Sequence, residues 1–331
     1  MDRQQTKILL ALSGGVDSTA AALLLMEQGY QVVACTFKTR YTSEKNLQSA
    51  VDLARNLGIE HHLLDYDEVF DREIVSYFKE EYLAGRTPNP CVLCNKQIKF
   101  GQLLQEADKL GCAYIATGHY ARIFRHEYLQ RAKDEHKDQT YFLWRLDSDQ
   151  IKRILFPLGD MTKPEVRNYL SSKGYATMAQ QSESQDICFI KDDYRTFLQL
   201  PEQKGDYVDK SGKVVGHHIG YANYTIGQRK GLGIALGTPA FVTRIDAENN
   251  VVELGAHDDL NTKSVRLRDV VFRGDSAKPV MAQIRYRSKP TPAYYDNGTL
   301  LFDENVWAVT PGQSAVIYQD DLLVGGGIIE G

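Results

Sequence analysis

The stretch Ile8-Leu9-Leu10-Ala11-Leu12-Ser13-Gly14-Gly15-Val16-Asp17-Ser18 decides how the first part of this chain folds. A short apolar run reads as a buried strand. The Ser/Gly turn after it and the pattern opening at Asp17-Ser18 read as a turn into a helix. Gly14 and Gly15 can adopt positive φ and leave main-chain N–H groups open, and the helix adds its positive end, so the turn is an anion cradle. Ser13 and Ser18 add hydroxyl donors. The turn lacks the Gly-Lys-Ser/Thr ending of a Walker A loop, which argues against a kinase-like or GTPase-like site.

Outward from this turn, strands and helices alternate. Strands are expected at 8–12, 31–37, 61–64 and 113–117, and helices at 18–28, 45–57, 67–84, 96–110 and 163–173. Gly29, Gly58, Gly111 and Gly174 follow four of these helices. Gly85-Arg86-Thr87-Pro88-Asn89-Pro90 must be a loop, because two prolines exclude regular structure. The order implies an α/β domain with a doubly wound parallel sheet and a ligand site at the carboxyl ends of its strands. Past about residue 200, short alternating runs separated by turns at 209–212, 247–250 and 296–298 take over. Three domains are expected: a catalytic domain at 1–199, a small mixed domain at 200–262 and an antiparallel β-barrel at 263–331.

The 331 residues are 43% hydrophobic and 25% charged, with a formal net charge of −4, so a nucleic-acid footprint must be local. One candidate runs from Lys263 to Lys289. Arg266, Arg268, Arg273, Lys278, Arg285 and Arg287 lie between, opposed only by Asp269 and Asp275. Such a stripe suits a phosphate backbone, and equally the solvated face of strands. No apolar run is long enough to span a membrane, and the N-terminus reads as a strand and not a signal peptide. Five cysteines, an odd number without small-domain spacing, point to a reducing, cytoplasmic setting. Cys35 and Cys112 fit buried structural positions. Cys91 and Cys94 sit at a loop-to-helix junction expected to be exposed, where the helix end and Lys96 should lower thiol pKa values. Cys188 supplies a third thiol.

The Ser/Gly loop is similar to that of ATP pyrophosphatases, which cleave ATP between its α and β phosphates. Along nearly its whole length the chain resembles the bacterial tRNA-specific 2-thiouridylase family. The resemblance is carried by 13–18, 85–90, Val92-Leu93-Cys94-Asn95, Ala116-Thr117-Gly118-His119-Tyr120-Ala121-Arg122, 137–143, Phe156-Pro157-Leu158-Gly159, Ile187-Cys188-Phe189-Ile190, Tyr224-Thr225-Ile226-Gly227-Gln228-Arg229 and Val309-Thr310-Pro311-Gly312-Gln313. It implies replacement of the C2 oxygen of the wobble uridine by sulfur, using ATP and Mg²⁺ on a tRNA substrate. Ala11, Leu12, Ser13, Gly14, Gly15, Val16, Asp17, Ser18, Phe37 and Gly118 would bind ATP. Cys94 would be the catalytic thiol and Cys188 the persulfide carrier. Asn89, Pro90 and Cys91 would line the target base, and His119, Lys137, Asp138, Gln139, Arg285, Tyr286 and Gln313 would contact tRNA.

Two features depart from the family pattern. Cys91 stands where the family has Asp, and the segment after Phe37 is short and lacks the usual tryptophan. Two sulfur schemes therefore stay open. In one, a relay protein delivers persulfide to Cys188, and Cys94 releases the sulfur by forming a disulfide. In the other, Cys91, Cys94 and Cys188 hold a 4Fe–4S cluster whose fourth iron takes sulfide; zinc would need a fourth ligand. Rival readings are a paralogue thiolating another RNA position and an ammonia-using ATP pyrophosphatase. The latter needs neither paired cysteines nor a basic stripe.

Overall fold

A computed structural model describes residues 3–181, 187–190, 193–200, 202–234 and 237–331. The chain divides into two compact units. The first comprises Met1–Ile74, Cys91–Phe189 and Asp321–Val324, and the second Val75–Pro90, Ile190–Asp320 and Gly325–Gly331.

In the first unit β1 (Lys7–Ala11), α1 (Val16–Glu27), β2 (Gln31–Lys38), α2 (Glu44–Leu57) and β3 (His61–Asp65) alternate as the periodicity predicts. They are followed by β4 (Tyr114–Ala116), a hairpin of β5 (Arg122–Phe124) and β6 (Tyr128–Gln130), and β7 (Ile154–Leu155). The parallel sheet has the order β3-β2-β1-β4-β7. β1 is central and fully buried at Ile8, Leu9 and Leu10, which is why it reads as an unbroken apolar run. The small side chains of α1 let it pack on two sides. Ala21, Ala22 and Leu25 meet the sheet. Val16 and Ala20 meet Tyr120, Leu158, Val166 and Leu170.

Two long predicted helices are re-registered. The segment expected at 67–84 is α-helical at Asp67–Phe70 and Ser76–Leu83, with a π-helical turn at Asp71–Val75 between. The one expected at 96–110 is π-helical over Asn95–Gln102 and α-helical only over Leu103–Lys109. Such wide turns cluster at functional sites, and apolar periodicity does not reveal them. The hairpin β5–β6 and the two-residue β7 also escape a periodicity reading.

In the second unit β8 (Gly205–Val208), β9 (Val214–His218), β10 (Phe241–Asp246) and β11 (Val251–Gly255) form a mixed sheet of order β10-β11-β8-β9. β12 (Asn261–Phe272), β13 (Val280–Gln283), β14 (Thr291–Asp296), β15 (Thr299–Trp307), β16 (Ser314–Gln319) and β17 (Leu322–Ile329) follow. Their order β12-β15-β14-β13-β16-β17 is closed by a β12–β17 pairing, giving an antiparallel barrel. β12 serves both neighbours because it changes register between Arg268 and Val271, with Asp269 at φ 52°. β13 stops at Gln283, and Arg285–Ser288 forms a turn. Among the described residues no helix is long and apolar enough to cross a membrane.

Candidate active site

Parallel pairing of β1 with β2 and β4 aligns Ala11 with Cys35 and Leu10 with Ala116, so Ala11, Phe37 and Gly118 lie toward one carboxyl edge of the sheet. Ser13 leaves this edge exposed, and its main-chain N–H donates to Ser18 Oγ at 3.2 Å. The two serine hydroxyls lie 3.1 Å apart, and Ser18 Oγ donates to Gly15 O at 3.2 Å. Gly14 has φ 74°, and a Cβ there would meet Ala50 N at 2.9 Å, so only glycine fits. Gly118 comes as close from the other side: a Cβ there would meet the Asp17 carbonyl carbon at 2.9 Å. The structure thus brings Ala11–Ser18 and Gly118 together. Phe37 packs on Tyr66, with ring centroids 5.4 Å apart.

Two residues that the motif reading missed complete this corner. The Lys163 ammonium donates to both Asp17 oxygens, at 2.7 and 2.9 Å, and Tyr120 OH donates to Asp17 Oδ1 at 2.8 Å. Lys163 is only 6% exposed. The signal for it was Thr162-Lys163-Pro164-Glu165, a helix start whose first residue is a buried lysine.

The thiols lie in the same unit, on two segments of the chain. Cys91 and Cys94 belong to the short helix Pro90–Cys94. Cys91 is half-buried, Cys94 buried and Cys188 exposed. Beside Cys188, Phe189 packs on Tyr41 and Phe70, with ring centroids 5.8 and 5.6 Å apart, so the short segment after Phe37 seats the Cys188 turn. The expected exposure of Cys94 is overturned, and with it the expected low thiol pKa. Burial pushes Cys94 up to about 12 and raises Cys91, and the nearby Lys99 ammonium offsets this only in part. Lys96, expected to activate the thiols, is instead paired with Asp147 and Gln150. Lys99 faces Cys94, Cys188 and Cys91 electrostatically, carried there by the π-helical turn. His119 is held neutral by burial and by Lys99. Its Nδ1 lies 2.8 Å from Thr117 Oγ1, and its ring packs on Phe100 and Phe156.

Among the described residues no group of three or more His, Cys, Asp or Glu side chains is placed to hold a metal ion. Cys91, Cys94 and Cys188, the ligands of the cluster scheme, are accordingly not in such a group. They are spread from a buried helix to an exposed turn, with a lysine ammonium facing all three.

Several expected tRNA contacts are engaged internally. Asp138 is buried and accepts from Ala132 N, Thr140 N, Thr140 Oγ1 and Arg131 Nη1. Gln139 Oε1 accepts from Tyr120 N at 2.8 Å. Lys137 is half-buried, its N–H on Asp134 O. In the second unit Arg285 donates to Ile226 O, Ala308 O and Thr310 Oγ1. Tyr286 O accepts from Gln283 Nε2 at 2.5 Å. Gln313 Nε2 donates to Thr87 O at 2.9 Å and Pro88 O at 3.2 Å, and a Cβ on Gly312 would meet Thr87 O at 2.9 Å. Thr87 N–H donates to Pro311 O. The 309–313 motif therefore clamps the loop leading to Asn89 and Pro90, of which Asn89 is buried.

Three family models match in order: a tRNA methyl transferase HUP domain at residues 6–192, a tRNA methyl transferase PRC-barrel domain at 195–256 and an aminomethyltransferase beta-barrel domain at 262–329. A tRNA-specific 2-thiouridylase (MnmA 3) of Bacteroides fragilis is 44% identical over 348 residues, covering 99% of this chain and 95% of the relative. That of Amoebophilus asiaticus is 44% identical, covering 98% and 95%, and that of Carboxydothermus hydrogenoformans 43%, covering 98% and 97%. A solved 4-thiouridine synthetase–RNA complex with bound ATP is similar at a TM-score of 0.40 and 18% identity, over 53% of this chain and 42% of that one. Matched from end to end by relatives of this identity, the chain belongs to the tRNA-specific 2-thiouridylase family.

Proposed function

We propose that this chain is an ATP-dependent tRNA-uridine 2-sulfurtransferase acting on wobble uridine 34. The observation that carries the reading is that one parallel-sheet unit holds both a phosphate-shaped Ser/Gly loop and the thiols Cys94 and Cys188. An amide-like oxygen is a poor leaving group. Transfer of the ATP α-phosphoryl group to the uracil O2 releases pyrophosphate and makes AMP the leaving group. Ala11–Ser18 and Gly118 cradle the phosphates, and Asp17 is the carboxylate at hand for Mg²⁺, which neutralises phosphate charge when bound.

The terminal sulfur of a Cys188 persulfide then attacks C2 and AMP departs, leaving C2 joined to Cys188 through a disulfide. Cys94, as thiolate, attacks Cys188 Sγ. A Cys94–Cys188 disulfide forms and the sulfur stays on C2. An external thiol reduces the disulfide, and a persulfide-bearing protein recharges Cys188. Burial holds Cys94 as a protonated thiol at rest, so it must lose its proton before this step, next to the Lys99 cation. Asn89, Pro90 and Cys91 lie at the start of the Cys94 helix, where the target base enters. No step passes through an iron–sulfur cluster. The tRNA substrate makes the cytoplasm its place of work.

The test is thiolation of unmodified tRNA with ATP, Mg²⁺ and a persulfide donor under metal-free conditions, read by nucleoside mass spectrometry and pyrophosphate release. Expected are 2-thiouridine at position 34, no product with Cys94→Ser or Cys188→Ser, and retained activity with Cys91→Asp. ADP as the nucleotide product, or full activity without Cys94, overturns the reading.

A further inference from the structure

Cys188 and Phe189 are neighbours in one turn with opposite surroundings. Cys188 is exposed, whereas Phe189 is only 4% exposed. The Phe189 ring joins Tyr41 and Phe70 in a cluster of three. The centroids lie 5.8, 5.6 and 6.0 Å apart, so each ring packs on both others. Phe70 ends the helix Asp67–Phe70. Tyr41 comes from the turn between β2 and α2, the segment that is short in this chain. Thr39 N–H donates to Thr42 Oγ1 at 3.1 Å and Tyr41 N–H to Thr39 Oγ1 at 3.3 Å, closing that turn. Arg40 then ties it to the helix carrying Phe70. Its main-chain N–H donates to Asp67 Oδ1 at 2.6 Å, and its Nε to both Asp67 oxygens at 3.0 Å. Tyr41 OH donates to Asp71 Oδ1 at 3.4 Å. Exposed ion pairs of this kind add little stability, but these fix where the Tyr41 ring lies.

A thiol that takes sulfur from outside and then reacts with a buried partner has two requirements. Its Sγ must stay open to the donor, and its Cα must come within about 7 Å of the partner's for a disulfide to close. A freely moving turn would meet the first and lose the second. We infer that Phe189, seated between Tyr41 and Phe70, holds Cys188 for its reaction with Cys94, and that the short 38–42 segment supplies part of this seat. The ring beside Cys188 takes the anchoring contacts, so the thiol itself stays uncovered. Phe189 and Tyr41 touch no reacting atom; they are positioning residues acting through Cys188. The inference rests on the disulfide step of the proposed function and deepens it.

The test separates the two requirements. The reduced full chain is mixed with one equivalent of the chromogenic aryl disulfide dithiobis(nitrobenzoate), without ATP, tRNA or metal. The Cys188 thiolate attacks the probe, forming a mixed disulfide and releasing one coloured arylthiolate. The Cys94 thiolate then attacks Cys188 Sγ, forming the Cys94–Cys188 disulfide and releasing the second arylthiolate. Loss of the second release in Cys94→Ser assigns it. Tyr41→Ala and Phe189→Ala are expected to slow the second release by about tenfold or more, because a thiol held near its partner gains effective concentration. The first release, a bimolecular reaction of an exposed thiol, should stay within about threefold. Phe189→Leu, which refills the seat in part, should fall between Phe189→Ala and the parent. If Phe189→Ala does not fold, Tyr41→Ala, altered in a half-buried turn, carries the test. Both releases changing by the same factor, or a second release untouched by Tyr41→Ala, makes the rings merely structural and overturns the inference alone. A parent chain with no second release overturns the Cys94–Cys188 step of the proposed function, and this inference with it.

Discussion

The Ser13–Ser18 loop and the basic stretch Lys263–Lys289 both read, as strings of residues, like places for phosphate. Folding treats them differently. The loop keeps its character because its chemistry is local: a strand end, two glycines and a helix start, all within six residues. Several charges of the stripe are committed elsewhere. Arg268 joins Arg86 on the buried carboxylate of Glu81, at 3.0 and 2.7 Å. Arg285 is fastened to Ile226, Ala308 and Thr310. Lys263 donates to Asp303 O, Arg266 lies 3.9 Å from Glu330, and Lys278 pairs with Asp275. Arg287 and Lys289 remain exposed. A glycine-rich anion loop can be recognised from its neighbours in sequence, whereas the availability of a charge depends on partners far along the chain.

The sharpest way to break this comparison is on the loop side. Gly14→Val forces a branched side chain into φ 74° against Ala50. It should reduce ATP-dependent pyrophosphate release by about 100-fold or more, as a displaced phosphate donor does, with tRNA affinity retained in filter binding. Retained release would mean that the loop is only a turn.

Next is the buried triad. Glu81→Gln leaves two arginines facing a neutral amide and should cost about 3 kcal/mol in urea unfolding, toward the low end for buried pairs because both arginines are part-exposed. Burial alone would raise the Glu81 carboxyl, but Arg86 and Arg268 outweigh it and hold it below its ordinary value. Its contribution is therefore present above the unfolded-state pKa and fades as pH falls through the folded one. The parent should lose stability below about pH 4 to 5 more steeply than Glu81→Gln does.

Arg285→Ala should cost about 1–2 kcal/mol of stability through three lost acceptor contacts. The salt dependence of tRNA binding should be unchanged beyond what unfolding explains. A slope flatter by about one phosphate contact in a fully folded Arg285→Ala would return this residue to the tRNA surface. The smallest stability effects belong to Arg287→Ala and Lys289→Ala, within about 0.5 kcal/mol. If they are the phosphate contacts left to the stripe, each flattens the salt slope by about one. An unchanged slope in both leaves the stretch a solvated barrel face.

Where apolar spacing and glycine stops agree, as from β1 through α2, the elements follow the residues, since a buried central strand and an amphipathic helix need only local pattern. The same reasoning failed at Asn95–Gln102. The pattern across 96–110 looks like one α-helix, but Asn95 Nδ2 bonds Phe142 O and Lys96 is drawn to Asp147, contacts made about fifty residues away. The resulting π-helical turn, and not the helix N-terminus or Lys96, determines that Lys99 is the cation facing the thiols. Cys94 was legible as a special cysteine by its place after the Pro-rich loop. Its burial was not, because that depends on what packs over the loop.

The sequence by itself determined the Ser/Gly turn between β1 and α1, the parallel sheet beneath it and the change to antiparallel strands near residue 200, and it singled out Cys94 and Cys188. All of these rest on patterns closed within a few residues or one element. Tertiary structure alone decided that Lys163 and Tyr120 meet Asp17, that Gln313 clamps the Thr87–Pro88 loop, that Glu81 absorbs Arg268 and that the three cysteines face a lysine. The first three join groups at least 103 residues apart and the last depends on burial, and pairing energy and desolvation exist only once the chain has brought those groups together.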